Sequence, residues 1–191
     1  MPSVAWPPPA CRYGSRPGRA VTVLYLMRHG EAENAAAGDG DHERALTQAG
    51  QEAAGWIGRA LTDAGLVPDL VLCSSARRAA ETWAAMVDEL ARVPSFLEEE
   101  ALYLASAPAL SERLAALPPE AATVLLIGHN PGLHQLALAL AGDGSADALA
   151  ALQGGFPAGA MAAIEFARDD WSGLESAAGR LLWFPAPEGA Y

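Results

Sequence analysis

Apolar residues fall along the chain in two patterns: short continuous runs, and longer stretches with apolar positions every three or four residues. Residues 21–27 (VTVLYLM) are the first continuous run, rich in β-branched and aromatic side chains, as a buried strand is. Residues 70–73 (LVLC) and 123–127 (TVLLI) repeat this, and residues 159–166 and 180–184 read as two further strands, with a turn over 169–173 between them. Between the runs lie helical stretches. One is capped by Thr47 and reaches about residue 63, with Ala53, Ala54, Ile57, Ala60 and Leu61 on one face, stopped by Gly65 and Pro68. Another follows the Ser74–Arg78 segment and runs to Ala91, carrying Thr82, Trp83, Met86 and Leu90; others cover 107–117 and 133–141. Residues 92–121 are otherwise irregular. Glu98–Glu100 read as a solvated face, and 142–155 as a loop with a short helix. Strands alternating with helices predict an α/β fold: three αβα layers around a mostly parallel central sheet with helices on both faces.

The flanks differ in character. Residues 1–20 are dense in Pro, Gly and Arg and have no period; they read as a disordered or loosely docked tail preceding one domain over 21–191. The segment AAAGDG (35–40) reads as a loop and the terminal PAPEGAY as frayed. No apolar stretch approaches the ~20 residues of a membrane span, and no basic region followed by an apolar run marks a secretory signal. Cys11 and Cys73 do not form a disulfide framework, so a reduced cytoplasmic protein is expected.

Charge then narrows the chemistry. The chain has 191 residues and a net charge of −11, which argues against general nucleic-acid binding. All twelve basic residues are arginine. Lysine Schiff-base chemistry and a Walker A lysine are therefore excluded, and any anion site must be built from Arg, His and backbone N–H groups.

Three of the apolar runs end in polar residues suited to such a site. The first delivers Arg28, His29, Gly30 and Glu31; the second Ser74 and, on the following helix, Arg77 and Arg78; the third Gly128, His129 and Asn130. Open α/β sheets bind ligands at the carboxyl ends of their strands. If the three strands are parallel neighbours, two arginines and two histidines converge. Guanidinium forks match phosphate oxygens, and a neutral imidazole can attack phosphorus, so the residues themselves suggest phosphoryl chemistry without a metal or other cofactor.

The same residues carry a family resemblance. Leu26-Met27-Arg28-His29-Gly30-Glu31 resembles the RHG signature of the histidine phosphatase superfamily. Asp41-His42-Glu43-Arg44-Ala45-Leu46-Thr47 with Gly50 resembles its D-x-x-R-P-L-T-x-x-G element, with Ala45 in place of proline. Ser74–Ala79 with Thr82 resembles S-x-x-x-R-A-x-x-T, with Ser75-Ala76 where many members have proline and an apolar residue. Gly128-His129-Asn130-Pro131 resembles the second histidine motif. The likeness covers about residues 21–142, and the compact layout looks most like the SixA-type phosphohistidine phosphatases.

The resemblance implies a phosphoglycerate mutase-like fold and a role for each residue. His29 is the nucleophile that forms a phosphohistidine intermediate. Arg28, Arg78 and His129 hold the phosphoryl oxygens, and Gly30 lets the backbone approach the phosphate. Arg78 is preferred to Arg77 by its spacing from Ser74. Asp41 and Arg44 pin their loop, while His42 and His134 lie outside the motifs. Larger members use a carboxylic acid in the segment matching residues 97–103, where Glu100 is the closest candidate and Glu31 a spare. A phosphohistidine substrate has little need of that acid, because protonated imidazole leaves readily, its pKa being about 6.5. The short stretch between the second and third site strands predicts an open mouth without a large lid. The expected partner is a phosphorylated substrate, a phosphohistidine protein or a small phosphomonoester. The alternatives are a small-metabolite phosphomonoesterase, a catalytically silent module that docks phosphorylated partners, and a metallohydrolase using His29 and His129, for which no H-x-H or H-E-x-x-H spacing exists.

Overall fold

The structure is a computed structural model that describes residues 21–35, 40–174 and 176–185. The segment 1–20 with Cys11, most of the 35–40 loop and all but the first residue of PAPEGAY lie outside the described residues. Seven strands form one sheet in the order β3-β2-β4-β1-β6-β7-β5. They are β1 (Thr22–Arg28), β2 (Leu70–Ser74), β3 (Ser95–Glu99), β4 (Thr123–Gly128), β5 (Ala141–Gly144), β6 (Met161–Phe166) and β7 (Gly179–Trp183). The helices are α1 (Gln48–Asp63), α2 (Arg77–Val87), α3 (Ala107–Ala115), α4 (Gly132–Leu140) and α5 (Ala146–Gly154). The β3–β2, β2–β4, β4–β1 and β5–β7 pairs are parallel, and β6 is antiparallel to both β1 and β7.

The continuous apolar runs are strands buried on both faces, with successive side chains turned to opposite sides. Leu24 and Leu26 face one way with Leu70, Leu72, Val124 and Leu126, where α3, α4 and α5 cover them through Leu110, Leu114, Leu133, Leu136 and Leu152. Tyr25 and Met27 face the other way with Val71, Cys73, Leu125 and Ile127, beneath Ala54, Ile57 and Leu61 of α1 and Ala79, Trp83 and Met86 of α2. The result is three layers, αβα. Each of these leucines is worth roughly 1.5–3 kcal/mol of transfer free energy when fully buried. Helix α1 starts as its sequence predicts: the Thr47 side chain accepts the Gly50 N–H at 3.0 Å. Ser106 and Ser145 cap α3 and α5 in the same way.

The structure departs from the sequence expectations at the edges. Residues 95–99 form a parallel edge strand whose apolar side chains Phe96 and Leu97 stay exposed, so no hydrophobic pattern marks it. Within the Glu98–Glu100 run, Glu99 is not simply solvated; it accepts from the Nε–Nη2 edge of the Arg113 guanidinium. Helix α2 stops at Val87 rather than Ala91, where Glu89 turns out to meet Arg59. The segment AGDG forms β5 by pairing with β7. In the 169–173 turn, Trp171 is fully buried and its indole N–H donates to the Ala121 carbonyl at 2.7 Å.

Register brings the site together. β2, β4 and β1 are contiguous and parallel, with Arg28 opposite Gly128 and Cys73 opposite Ile127. The three carboxyl ends therefore stop at one level.

Candidate active site

His29 follows the last residue of β1 and is 9% exposed. Its Nδ1 lies 2.7 Å from the Gly30 carbonyl oxygen. A carbonyl only accepts, so Nδ1 carries the proton and Nε2 keeps its lone pair. The Arg78 Nε–H donates to that Nε2 at 3.2 Å. Burial, opposed by the Gly30 bond and reinforced by Arg78 and Arg28, lowers the His29 pKa to about 4. The ring is thus neutral near pH 7, with a free nitrogen facing a cation.

His129 follows β4, 3% exposed, with its ring centroid 5.1 Å from that of His29. Arg78 Nη2, which only donates, is 3.4 Å from His129 Nδ1. The proton is therefore on Nε2, which donates to the buried Ser74 hydroxyl at 2.7 Å. Burial, His29 and Arg78 lower the His129 pKa to about 3, with Asp41 opposing. Arg28 ends β1; its Nη1 donates to the Phe156 carbonyl at 2.9 Å, which also receives the Asn130 side-chain N–H. The Arg28 Nε is buried and has no partner among the described residues. Burial and the Arg78 charge both lower the Arg28 pKa. A cavity of about 370 Å³ opens beside Arg28, lined by Asn130, His134 and residues 154–157.

Arg78, in the first turn of α2, is 3% exposed and joins the two histidines. Arg77 points to the surface and pairs with Glu81. The structure thus brings Arg28, His29, Arg78 and His129 together at the carboxyl edge of three adjacent strands.

Gly30 is held by contacts within the protein. Its N–H is engaged with the Thr82 hydroxyl at 3.0 Å, and its carbonyl orients His29. A Cβ at Gly30 would stand 2.7 Å from the Gly50 carbonyl oxygen, and a Cβ at Gly50 would meet the Glu31 carbonyl oxygen. The two glycines therefore let the start of α1 lie directly against the RHG turn. This explains why both motif positions need glycine.

Glu100 sits just beyond the carboxyl end of β3, exposed, and bonds to no other side chain among the described residues. Glu31 is exposed too. Among the described residues the one carboxylate bonded to the quartet is Asp41, which holds Arg78 at 2.9 Å as well as Arg44 at 3.0 Å. Sequence reasoning missed Tyr103. Its hydroxyl donates to Asp41 at 2.7 Å and its ring meets His129 edge-on at 5.4 Å. His42 links this loop to Ser75, and His134 donates to the Leu152 carbonyl. No group of three His, Cys, Asp or Glu side chains among the described residues is placed to hold a metal ion. No described helix is long and apolar enough to cross a membrane.

Comparison with known proteins places the chain in a family. The family model of the histidine phosphatase superfamily (branch 1) matches residues 24–102, a span that includes Arg28, His29 and Arg78. An uncharacterised Mycobacterium tuberculosis protein is 32% identical over 166 residues, covering 84% of this chain and 99% of its own. A protein assigned as the phosphohistidine phosphatase SixA from Nakamurella multipartitia superposes with a TM-score of 0.75 at 30% identity, over 88% of this chain and 98% of its own. The protein histidine phosphatase SixA solved with tungstate superposes at 0.67 with 25% identity, over 86% and 97%. The architecture is phosphoglycerate mutase-like, as the motifs implied. On its motifs, its fold and its relatives, the chain belongs to the histidine phosphatase superfamily.

Proposed function

We propose that the protein is a metal-independent phosphatase that works through a phosphohistidine on His29 and acts on protein phosphohistidine. The observation that carries this reading is the His29 tautomer. The Gly30 carbonyl fixes the proton on Nδ1, leaving Nε2 unprotonated, its lone pair turned to Arg78 in a cluster with Arg28 and His129; an incoming phosphoryl group replaces that contact. Nε2 attacks phosphorus in line. The N–P bond forms as the bond to the leaving atom breaks, and the departing nitrogen or oxygen takes up a proton from solvent. Arg28 and Arg78 balance the charge on the equatorial oxygens. Water then attacks phosphorus from the opposite side, releasing inorganic phosphate and returning the neutral ring. The SixA likeness supports phosphohistidine as the substrate. So does the short β3–β4 connection, a single 3-10 turn and α3, which leaves room for a protein side chain to enter. The small-metabolite phosphomonoesterase remains the second reading, motivated by the cavity beside Arg28.

The test is turnover in the presence of a strong chelator with phosphohistidine protein, sugar phosphates and an aryl phosphate. The expected result is an acid-labile, alkali-stable phosphoryl label that disappears in His29→Ala, with phosphohistidine protein the preferred substrate. No label together with unchanged activity in His29→Ala would overturn the mechanism, and preference for a sugar phosphate would favour the second reading.

A further inference from the structure

The four side chains that meet the phosphoryl group do not explain why Arg78 is aimed as it is. A guanidinium has two hydrogen-bonding edges, one formed by Nε and Nη2 and one by Nη1 and Nη2. In Arg78 the second edge is taken. Nη1 donates to the Asp41 main-chain carbonyl at 2.6 Å and Nη2 to Asp41 Oδ2 at 2.9 Å. The first edge faces the site, with Nε 3.2 Å from His29 Nε2 and Nη2 3.4 Å from His129 Nδ1. Nη2 has a hydrogen for each edge, so both contacts coexist. Two oxygens of a tetrahedral phosphoryl group match such an edge side-on.

The grip is itself braced. The Asp41 carboxylate receives Arg44 on Oδ1 and the Tyr103 hydroxyl on Oδ2. Arg44 is tied in turn to the Glu33 carbonyl at 2.7 Å. The Tyr103 ring lies against both His129 and the Arg78 guanidinium. These contacts hold the Asp41 carboxylate ionised, far below the usual carboxylate range. A permanent negative charge on the rear edge of a nearly buried arginine fixes its direction and compensates its charge.

We propose that Asp41, braced by Tyr103, is a positioning residue for phosphoryl transfer: it grips the rear edge of Arg78 and thereby presents the Nε–Nη2 edge to the phosphoryl oxygens between His29 and His129. The proposal rests on the reading of His29 as a phosphoryl acceptor, and it extends the sequence-level role of Asp41 from pinning a loop to aiming an arginine.

The experiment compares wild type with Asp41→Ala and Asp41→Asn in three measurements: tungstate affinity by calorimetry, kcat and KM on an aryl phosphate, and thermal unfolding. The expected result for Asp41→Ala is tungstate binding weaker by about tenfold, as for loss of one charge-assisted hydrogen bond. KM rises to match, and kcat falls by about 100-fold, as for a misplaced catalytic group. Asp41→Asn, whose amide oxygen still accepts from Nη2, falls between and unfolds like the wild type, so the kinetic loss is read on a folded protein. Tungstate affinity and kcat within about twofold of wild type in Asp41→Ala would overturn the proposal. So would tighter tungstate binding in either variant, which would mean that the carboxylate competes with the oxyanion for Arg78. Absence of turnover and label in the wild type defeats the proposed function instead, and the tungstate arm still reports on Arg78.

Discussion

Moving from pH 7 to pH 5 should destabilise this protein through two side chains, His29 and His129. The two carboxyls with lowered pKa, Asp41 and Asp170, add little across this window, because the linkage of a lowered Asp falls below the free value near 4. Burial raises the Cys73 thiol to about 12, so it stays neutral. The two imidazoles behave differently. In the unfolded chain they titrate near 6.5, whereas in the folded protein they are held at about 4 and about 3. As pH falls below 6.5 the unfolded chain binds protons that the native state refuses, so stability drops; the drop levels off only once the native rings protonate in turn. At pH 5 the unfolded chain is about one and a half pH units below its midpoint, which amounts to roughly 2 kcal/mol per histidine and roughly 4 kcal/mol for the pair. That is a large share of the 5–15 kcal/mol typical of a domain. Urea unfolding at both pH values, for wild type and for His29→Asn/His129→Asn, isolates the contribution, since His42 and His134 are common to both. The wild type should lose roughly 4 kcal/mol more than the double variant. Equal losses in the two proteins would refute the argument that these rings are buried neutral.

Two substitutions probe the supports of the site. Gly30→Ala places a methyl 2.7 Å from the Gly50 carbonyl oxygen and 3.1 Å from its Cα. Main chain cannot rotate away, so a loss of about 1–3 kcal/mol in thermal unfolding is expected, with kcat/KM lower by about 100-fold as α1 and His29 shift; wild-type values for both would contradict the packing argument. Ser74→Ala removes the acceptor of the His129 Nε2 proton at a fully buried position. A cost of about 1–3 kcal/mol follows, and nitrogen NMR should show His129 keeping its Nε2–H tautomer, because Arg78 Nη2 still donates to Nδ1. A spectrum in which His129 moves to the Nδ1–H tautomer would refute the assignment of Arg78 as the group that sets it.

The interior of the fold was legible because strands buried on both faces must be apolar throughout, and VTVLYLM, LVLC and TVLLI could be little else. The positions of Arg28, His29, Arg78 and His129 followed, since polar residues at the ends of such strands have one place to go. The edges were not legible. Residues 95–99 and 141–144 are strands through pairing with a neighbour, and neither carries an alternating pattern. The bracing of the site was hidden for a related reason. Tyr103 and Asp41 meet across 62 residues of sequence, and only the tertiary approach of two loops joins them. Gly30 was legible as a required glycine, but the backbone it accommodates belongs to Gly50, which sequence places on a separate motif.

The sheet order also bears on how the chain comes into being. β1 sits between β4 and β6, both of which follow it by a long stretch of sequence. A ribosome adding about 5–20 residues per second releases TVLYLMR many seconds before either hydrogen-bonding neighbour exists. The first strand made is therefore among the last to be paired, and its apolar side chains wait in the open. The same delay keeps His29 apart from Arg78 and His129 until most of the chain has emerged. The cluster of Arg28, His29, Arg78 and His129 thus assembles with the closing of the sheet.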